Sequence, residues 1–242
     1  MPLAVSDYEQ VVAWMRAMIA ADARGYLTAA AVNLVMSARE DPETMAAVLG
    51  ATLAVPDGMP LVWALRALGH RGATRVYGPD LMLRFCAKAA AEGIPMYLYG
   101  GRDEAALELL KERLGERFPG LRIAGGHSPP FRELTPAEEE WVVADIDGSG
   151  AQVVWVGTGQ PKQERWMLRM RPRLRAPLLV GVGAAFDFHA GLVPQAPRWM
   201  QRRGLEWCYR LAREPRRLWR RYARYNPRFV AAFVRQYMHA RR

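Results

Sequence analysis

The stretch GTGQPKQERW has the residue types of an anion site. It begins at Gly157, the last residue of the apolar run QVVWVG. Gly157 and Gly159 would let the backbone approach a ligand closely, and the helix expected after the proline would point its first amides at a phosphate. Gln163 and Glu164 would then lie in the first helical turn, near that ligand. The alternative is a tight strand-to-helix turn capped by Thr158 or Gln163, with Lys162 solvated. The residue types alone leave both interpretations open.

Two aspartates lie in comparable loops. Asp57, in VPDGMPLVWAL, follows an apolar run and precedes a helix start that Gly58 and Pro60 indicate. It is either the N-cap of that helix or a carboxylate at a strand end, where partial desolvation would raise its pKa toward that of a general base. Asp187, in FDFHAG, lies between two phenylalanines. This setting favours a buried carboxylate bonded to backbone amides over a ligand for a sugar hydroxyl.

Patterns for metal ions and large cofactors are weak. The histidines at 70, 127 and 189 do not have the spacing of a metal cluster. The DID tripeptide at 145–147 is similar to the Asp-x-Asp pair that holds a divalent ion on nucleotide sugars, but it lies on the wrong side of its strand, so we interpret it as surface. No loop ends as a Walker A motif or has the full GxGxxG spacing. We therefore expect a mononucleotide that is held without either of these standard loops.

The elements that must position these loops alternate between strand and helix. Six short apolar runs are separated by longer segments with helical periodicity, such as DEAALELLKERLGERF. The runs cover residues 26–32, 51–56, 95–100, 121–126, 152–157 and 176–183. This order predicts an α/β fold with a Rossmann-like, mostly parallel sheet flanked by helices. Ligands bind at the carboxyl ends of the strands in such sheets, so the loops there are the expected site.

Glycine-rich loops follow four of these runs. They are GGRDEAA from Gly100, GGHSPPF from Gly125, GTGQPKQE from Gly157 and GAAFDFHAG from Gly183. Backbone amides in such loops can bind the oxygens of a phosphate. Gly100, Gly101 and Gly183 therefore join the candidate ligand-binding residues.

Charge divides the chain into two unequal parts. Residues 198–242 hold fourteen arginines against Glu206 and Glu214, a net charge of +12. Residues 1–197 carry 20 Lys+Arg against 22 Asp+Glu, a net charge of −2. We therefore expect a body, residues 1–197, and a basic helical C-terminal appendage, residues 198–242, that meets an anionic partner.

The appendage has the pattern of amphipathic helices. In PRRLWRRYARY the apolar and aromatic residues fall on one helical face, and the arginines on another are Arg217, Arg220, Arg221 and Arg224. Pro215 and Pro227 predict the starts of short linked helices rather than one rod. Basic helices with Trp and Tyr suit an anionic membrane surface. The alternatives are packing on the body, a homo-oligomer contact that covers the apolar face, and nucleic-acid binding.

The N-terminal segment and the cysteines bear on the cellular setting. Asp7 and Glu9 stand where a signal peptide carries lysines, and no run of about eighteen apolar residues occurs in the sequence. We therefore expect neither export by such a signal nor a membrane span. Cys86 and Cys208 lie in apolar helical segments without pairing or metal spacing, so both are expected to be reduced core residues.

Six motifs follow one another between about residues 6 and 225. They are VPDGMPLVWAL, RVYGPDLM, LYGG, GTGQPKQERW, GVGAAFDFHAG and APRWMQRRGLEWCYRLAREPRRLWRRY. In order and approximate spacing they resemble the WecG/TagA/CpsF glycosyltransferases. The resemblance implies a bacterial, inverting, metal-independent enzyme of cell-surface polysaccharide or teichoic acid synthesis. Such an enzyme moves a sugar from a UDP-sugar to a polyprenyl-diphosphate-linked acceptor and binds peripherally to the cytoplasmic face of the cell membrane.

The resemblance also implies roles for single residues. Asp57 matches the aspartate of an Asp-Gly motif, the proposed catalytic base of the family. Asn33 matches the asparagine of a Thr-x-Asn motif in the active-site pocket, and Gln163 matches the glutamine of a Pro-Lys-Gln-Glu motif near the donor. Two positions depart from the pattern, because Ala31 replaces the threonine and Gln195 replaces an arginine before Ala-Pro. The donor sugar therefore stays open among N-acetylmannosamine, its uronic acid, glucose and N-acetylglucosamine.

The resulting hypothesis gives each part of the chain a role. Asp57 takes the proton of the acceptor hydroxyl, while backbone amides, a helix N-terminus and cationic side chains stabilise the departing diphosphate. The candidate donor-binding residues are Gly100, Gly101, Gly157, Thr158, Gly159, Lys162, Gln163, Gly183 and Asp187. The candidate arginines for the diphosphate or the membrane are Arg210, Arg217, Arg220, Arg221 and Arg224. The alternative hypothesis is a non-enzymatic nucleotide- or RNA-binding protein whose tail binds a polyanion.

Overall fold

The computed structural model describes residues 2–240 and builds them around a six-stranded parallel sheet. The strands are β1 (Gly25–Ala30), β2 (Leu53–Pro56), β3 (Met96–Gly100), β4 (Ile123–His127), β5 (Val153–Gly157) and β6 (Leu178–Gly181). Their order across the sheet is β2-β1-β6-β5-β3-β4, and each neighbouring pair is parallel. Each of the six apolar runs forms a strand, so the predicted α/β, Rossmann-like fold is confirmed.

Helices connect the strands and cover the sheet. Within residues 2–240 they are α1 (Tyr8–Ala20), α2 (Val32–Glu40), α3 (Pro42–Leu49), α4 (Met59–Ala67), α5 (Gly78–Glu92), α6 (Glu104–Arg117), α7 (Pro136–Gly148), α8 (Lys162–Met170), α9 (Ala185–His189), α10 (Arg198–Arg202), α11 (Glu206–Arg213) and α12 (Pro215–Ala240). The last three belong to the C-terminal appendage.

Side-chain caps fix where several helices begin. Asp7 accepts a hydrogen bond from the Gln10 amide, and the Gln10 side chain accepts one from the Asp7 amide, which is a capping box at α1. Thr135 and Glu138 form the same arrangement at α7. Asp103 caps α6 by accepting from the amide three residues later. Because Asp103 fixes the first residue of α6, this cap also limits the length of the loop between β3 and α6.

Side chains of the central strands alternate between two buried layers. On β5, Val153 and Trp155 join the layer that contains α1, α5 and α6. Val154 and Val156 join the opposite layer, with α7 and α8. Both faces of the sheet are covered, which explains why β5 is apolar at consecutive positions. The loops at the strand ends therefore extend from a fully buried, rigid support.

The appendage ends in one helix of 26 residues, α12. The prediction of short helices linked at Pro227 is wrong, because Pro227 lies inside this helix, although Pro215 does begin it. Arg224 and Arg228, on either side of Pro227, both form ion pairs with Glu40 at the end of α2. These two contacts to α2 therefore lie on either side of the position where proline cannot donate a helical hydrogen bond.

Part of the apolar face of α12 packs on α2. Leu218 is fully buried, and Phe229 packs against the cluster that contains Leu34. The Ser37 hydroxyl donates a hydrogen bond to the Tyr225 hydroxyl at 3.3 Å. For this part of the apolar face, the alternative that the appendage packs on the body is therefore correct. The exposed apolar residues of α12 are Trp219, Val230, Val234 and Met238.

Two sequence predictions concern parts of the fold away from the strand ends. Cys86 is buried and Cys208 is half-buried, both as free thiols, so only Cys86 is a core residue as predicted. Asp145 and Asp147 each accept a hydrogen bond from the body, near the amino end of β5, which gives the DID tripeptide structural contacts. Among the described residues, no three His, Cys, Asp or Glu side chains are grouped so that they could hold a metal ion.

Candidate active site

A cleft of about 1100 Å³ lies at the carboxyl ends of the strands, where the fold predicts a ligand site. Residues that follow all six strands line it. The appendage forms a further wall through Glu206, Arg210, Arg217 and Arg221 of α11 and α12. The cleft is thus built from the body and the appendage together.

Asp57 lines this cleft at the end of β2. Its amide donates a hydrogen bond to the Ala30 carbonyl at 2.8 Å, and its Oδ1 accepts one from the Gly78 amide at 2.7 Å. The N-cap of α4 is Gly58, so the interpretation of Asp57 as the cap of that helix is wrong. Burial raises the pKa of Asp57 to about 6, against the opposing effect of the Arg75 guanidinium. A carboxylate with this pKa can accept a proton near neutral pH.

Arg75 connects Asp57 to the appendage. Its Nε donates a hydrogen bond to the main-chain carbonyl of Asp57, and its Nη2 lies 2.6 Å from Oε2 of Glu206 on α11. The Tyr77 hydroxyl donates to the other oxygen of Glu206 at 2.9 Å. The side chains of Arg75 and Glu206 are only 14% and 15% exposed, so their attraction is little screened by solvent. The charge of Glu206 also raises the pKa of Asp57.

Asn33 lines the cleft as the second residue of α2. Ala31, the N-cap of this helix, lines the cleft too and makes no side-chain cap hydrogen bond. The hydroxyl that a threonine would supply at position 31 is therefore missing from both the helix cap and the cleft. This absence distinguishes the surroundings of Asn33 from the Thr-x-Asn pattern.

The glycine loops around β5 approach one another closely. Gly100 has a φ of +131°, and a Cβ there would lie 2.6 Å from the carbonyl carbon of Gly157, so only glycine fits. The candidate donor-binding residues that line the cleft are Gly101, Gly157, Thr158, Gly159, Lys162, Gly183 and Asp187. Gly100 supports them from outside the lining. The Thr158 hydroxyl oxygen is buried without a hydrogen-bond partner within residues 2–240, which makes it available to a ligand.

Gln163 lies behind the cleft lining, not in it. Its side chain is fully buried, and its Oε1 accepts a hydrogen bond from the Gly183 amide at 3.0 Å. Its Nε2 donates to Oε1 of Glu164 at 2.8 Å, and the Thr28 hydroxyl donates to the same oxygen at 2.8 Å. Burial raises the pKa of Glu164 to about 7. Gln163 therefore fixes the loop at Gly183 from behind and does not line the cleft, although it was predicted to be a donor-binding residue.

Asp187 lines the cleft as half of an ion pair. Its two oxygens accept hydrogen bonds from Nε and Nη2 of Arg102, at 2.9 and 3.3 Å. Arg102 also lines the cleft. The sequence favoured a carboxylate bonded to backbone amides, whereas the partner in the structure is a guanidinium on the loop after β3.

Three of the five candidate arginines of the appendage line the cleft: Arg210, Arg217 and Arg221. The Nε atoms of Arg210 and Arg221 are buried and have no hydrogen-bond partner in the described part of the chain. Burial also lowers the pKa of Arg221. Guanidinium groups with a donor left unpaired favour an anionic ligand in the cleft.

Arg220 and Arg224 lie outside the cleft. Arg220 lies over the ring of Trp219, 5.6 Å from its centroid, and Arg224 pairs with Glu40 at 2.6 Å. Of the five arginines predicted for the diphosphate or the membrane, these two are therefore not part of the cleft lining. Residues four positions apart share a helical face, so this pair lies on one side of α12 and the cleft-lining pair on another.

A family model described as the glycosyl transferase WecG/TagA/CpsF family matches residues 1–242. The chain belongs to this family. WecG/TagA/CpsF proteins are glycosyltransferases of cell-surface polysaccharide synthesis, with sugar nucleotides as donors and lipid-linked molecules as acceptors in general. The resemblance that six motifs indicated is thereby confirmed along the whole chain. None of the described helices combines the length and the apolar character that a membrane span requires.

In this WecG/TagA/CpsF chain, sequence reasoning missed the residues that hold the candidate ones in place. Arg75 and Glu206 lie within family-like motifs, RVYGPDLM and GLEWCYRL, which was the available signal. Their contact joins positions 131 apart, a relation that spacing along the chain does not reveal. Thr28 was missed for the same reason, since its partner Glu164 lies 136 positions away, and Glu164 itself is buried against Thr28 rather than placed beside the ligand as expected.

Proposed function

We propose that this chain is an inverting glycosyltransferase that moves a sugar from a UDP-sugar to a polyprenyl-diphosphate-linked acceptor without a bound metal ion or cofactor. The observation that carries the proposal is the setting of Asp57, a carboxyl group with a pKa of about 6 in the cleft. The same cleft presents Arg210 and Arg221, each with a buried donor that lacks a partner within residues 2–240. A base and an anion site in one cleft suit transfer from a diphosphate leaving group.

The proposed reaction is a direct displacement at the anomeric carbon of the donor sugar. The acceptor hydroxyl oxygen attacks the anomeric carbon while Asp57 takes the hydroxyl proton. The bond from the anomeric carbon to the β-phosphate oxygen breaks, and UDP departs with the electron pair. Because attack and departure use opposite faces of the sugar ring, the anomeric configuration inverts.

The departing UDP gains negative charge that the cleft must stabilise. Arg210, Arg217 and Arg221 supply positive charge, and Lys162 begins α8 beside the glycine loop. The helix N-terminus and the loop amides add donors to the same region. Groups fixed in place before the reaction stabilise developing charge more than mobile water does.

We assign membrane contact to the exposed side of α12. Trp219, Val230, Val234 and Met238 are each at least 44% exposed, and arginines flank them. Interfacial amphipathic helices have this composition, and each cation near an anionic bilayer adds about 1 kcal/mol. A lipid-linked acceptor places the cleft close to a bilayer, and the proposed location is the cytoplasmic face of the bacterial membrane.

Vesicle cosedimentation tests this assignment. Val230→Glu/Val234→Glu should lose binding to phosphatidylglycerol vesicles, because both side chains are exposed and neither contacts the cleft. If the face instead covers a second copy of the chain, the variant would change the mass in ultracentrifugation and leave vesicle binding intact.

Release of UDP tests the reaction. We would offer a panel of UDP-sugars with a synthetic polyprenyl-diphosphate-linked sugar and compare wild type with Asp57→Asn. Acceptor-dependent turnover should fall about 100- to 10,000-fold in the variant, the range typical of a lost general base. Asp22→Asn is the matched control, since Asp22 is exposed and its left-handed backbone tolerates asparagine.

The outcomes separate three conclusions. Turnover that collapses only in Asp57→Asn supports both the transferase and the base. Equal turnover in wild type and variant keeps the transferase and removes Asp57 from the chemistry. Absence of turnover with every donor and acceptor would favour the alternative, a non-enzymatic nucleotide- or RNA-binding protein.

A further inference from the structure

A second groove lies beside the cleft and has a volume of about 1360 Å³. Helices α1, α5 and α6 and the segment 188–202 line it. We call it the arginine groove after five of its lining residues, Arg84, Arg113, Arg117, Arg198 and Arg202. The proposed reaction assigns no step to these residues.

The charge of the arginine groove is unbalanced. Within residues 2–240 none of its five arginines forms an ion pair or a hydrogen bond, and the acidic side chains in the lining are Asp80 and Glu116. Arg84 lies over the ring of Tyr8, 4.5 Å from its centroid. Five cations, three from the body and two from α10 of the appendage, are thus collected in one groove and form a local anion-attracting surface.

The arginine groove meets the cleft at two residues. Phe188 lines both spaces. Arg75 lines the groove, while its guanidinium contacts Asp57 and Glu206, which line the cleft. A molecule that lies in the groove and extends past Phe188 would therefore bring its end to Asp57.

Apolar side chains complete the groove. Leu83, Val193 and Pro194 line it between the arginines. Trp199, next to Arg198, is 55% exposed. A ligand that matches both sets of residues has an anionic group joined to an apolar chain.

We propose that the arginine groove binds the diphosphate and the first isoprenoid units of the lipid-linked acceptor, with the acceptor sugar extending past Phe188 to Asp57. The identity of this ligand rests on the proposed function, whereas its charge and shape follow from the groove. Guanidinium groups bind phosphate oxygens through charge-assisted, often bidentate hydrogen bonds. The donor diphosphate at Arg210 and Arg221 and the acceptor diphosphate would then occupy separate sites.

Binding and kinetics with defined probes test the inference. The variant is Arg84→Ala/Arg113→Ala/Arg117→Ala, and the control is Arg24→Ala/Arg39→Ala/Arg175→Ala, which removes the same charge from exposed arginines outside the groove and the cleft. Calorimetry measures the Kd for farnesyl diphosphate. Kinetics compares farnesyl-diphosphate-linked N-acetylglucosamine with octyl N-acetylglucosaminide, which lacks the diphosphate.

The groove variant should bind farnesyl diphosphate at least tenfold more weakly than wild type, because several charged hydrogen bonds are lost. Its KM for the diphosphate-linked acceptor should rise by a similar factor, with unchanged KM values for the donor and for the neutral glycoside. The control should match wild type in each measurement.

Other results would overturn the inference. An unchanged Kd in the groove variant would do so, as would an equal loss in the control. A parallel loss of phosphatidylglycerol vesicle binding would assign the arginines to phospholipid headgroups instead. If wild type turns over no donor, the proposed function fails, and the farnesyl diphosphate measurement still decides whether the groove binds a lipid diphosphate.

Discussion

Asp57 and Glu206 contact the same guanidinium, that of Arg75, although one belongs to the body and the other to the appendage. Glu206 is close enough to raise the pKa of Asp57, while Arg75 lowers it. The appendage therefore adjusts the proposed base as well as supplying arginines to the cleft. Removal of either charged neighbour should be visible in the pH dependence of the reaction.

Glu206→Gln should move the acidic limb of kcat/KM to lower pH. Loss of the negative charge favours ionised Asp57, so its pKa should fall below about 6, by on the order of half a pH unit. The measurement is a pH profile of UDP release. Glu9→Gln, at an exposed position on α1, should leave the limb in place. A limb that moves upward in Glu206→Gln would contradict the assignment.

Asp57→Asn should make the protein more stable at pH 8 while it removes activity. The pKa of Asp57 rises from 3.8 to about 6 on folding, so its contribution to stability is present below pH 4 and lost as pH rises through 6. The amide can still accept the hydrogen bond from Gly78. We expect a gain on the order of 3 kcal/mol at pH 8 and little change at pH 4, measured by urea denaturation. A less stable variant at pH 8 would give Asp57 a structural role instead.

Glu164→Gln should flatten the pH dependence of stability. The pKa of Glu164 rises from 4.5 to about 7, so wild type loses stability as pH increases across that range, and the uncharged variant does not. At pH 8 the variant should be more stable by on the order of 3 kcal/mol. Denaturation at several pH values checks this. The exposed Glu9→Gln should follow the wild-type curve, and parallel curves for Glu164→Gln and wild type would show that Glu164 ionises normally.

Ala31→Thr should stabilise the protein by about 0.5 to 1 kcal/mol. Position 31 is the N-cap of α2 and lacks a side-chain hydrogen bond to the helix amides. A threonine hydroxyl can accept that bond, whereas Ala31→Val adds similar bulk without it. Thermal unfolding of both variants is the measurement. Equal melting temperatures for threonine and valine would mean that the hydroxyl does not reach the helix amides.

The sheet and the position of the cleft could be predicted from the sequence because their signals are local. Each strand is an apolar run, and several strands end in a loop with glycine or a carboxylate, as at Asp57 and Gly157. Ligand binding at the carboxyl ends of parallel strands is a general rule of such folds. The order and spacing of the six motifs indicated the family, which no single motif could do.

The contacts behind these loops could not be predicted in the same way. Gln163 and Lys162 are neighbours in sequence, but the direction of α8 buries the first and exposes the second. Arg75 meets a partner 131 positions away. At Pro227 the local signal predicts a helix break, but α12 continues through this position, with contacts to α2 on either side of it. Each case depends on tertiary packing that spacing along the chain does not encode.

The ion pairs of Glu40 with Arg224 and Arg228 join α2 of the body to the middle of α12, and Phe229 of α12 packs beside them on the body. If the exposed face of α12 lies on a bilayer, this attachment would set the height of Asp57 above the headgroups. An acceptor whose terminal hydroxyl stands at that height would react, and the product, longer by one sugar, would carry its new hydroxyls beyond it. A fixed height would thus limit the enzyme to one addition for each lipid.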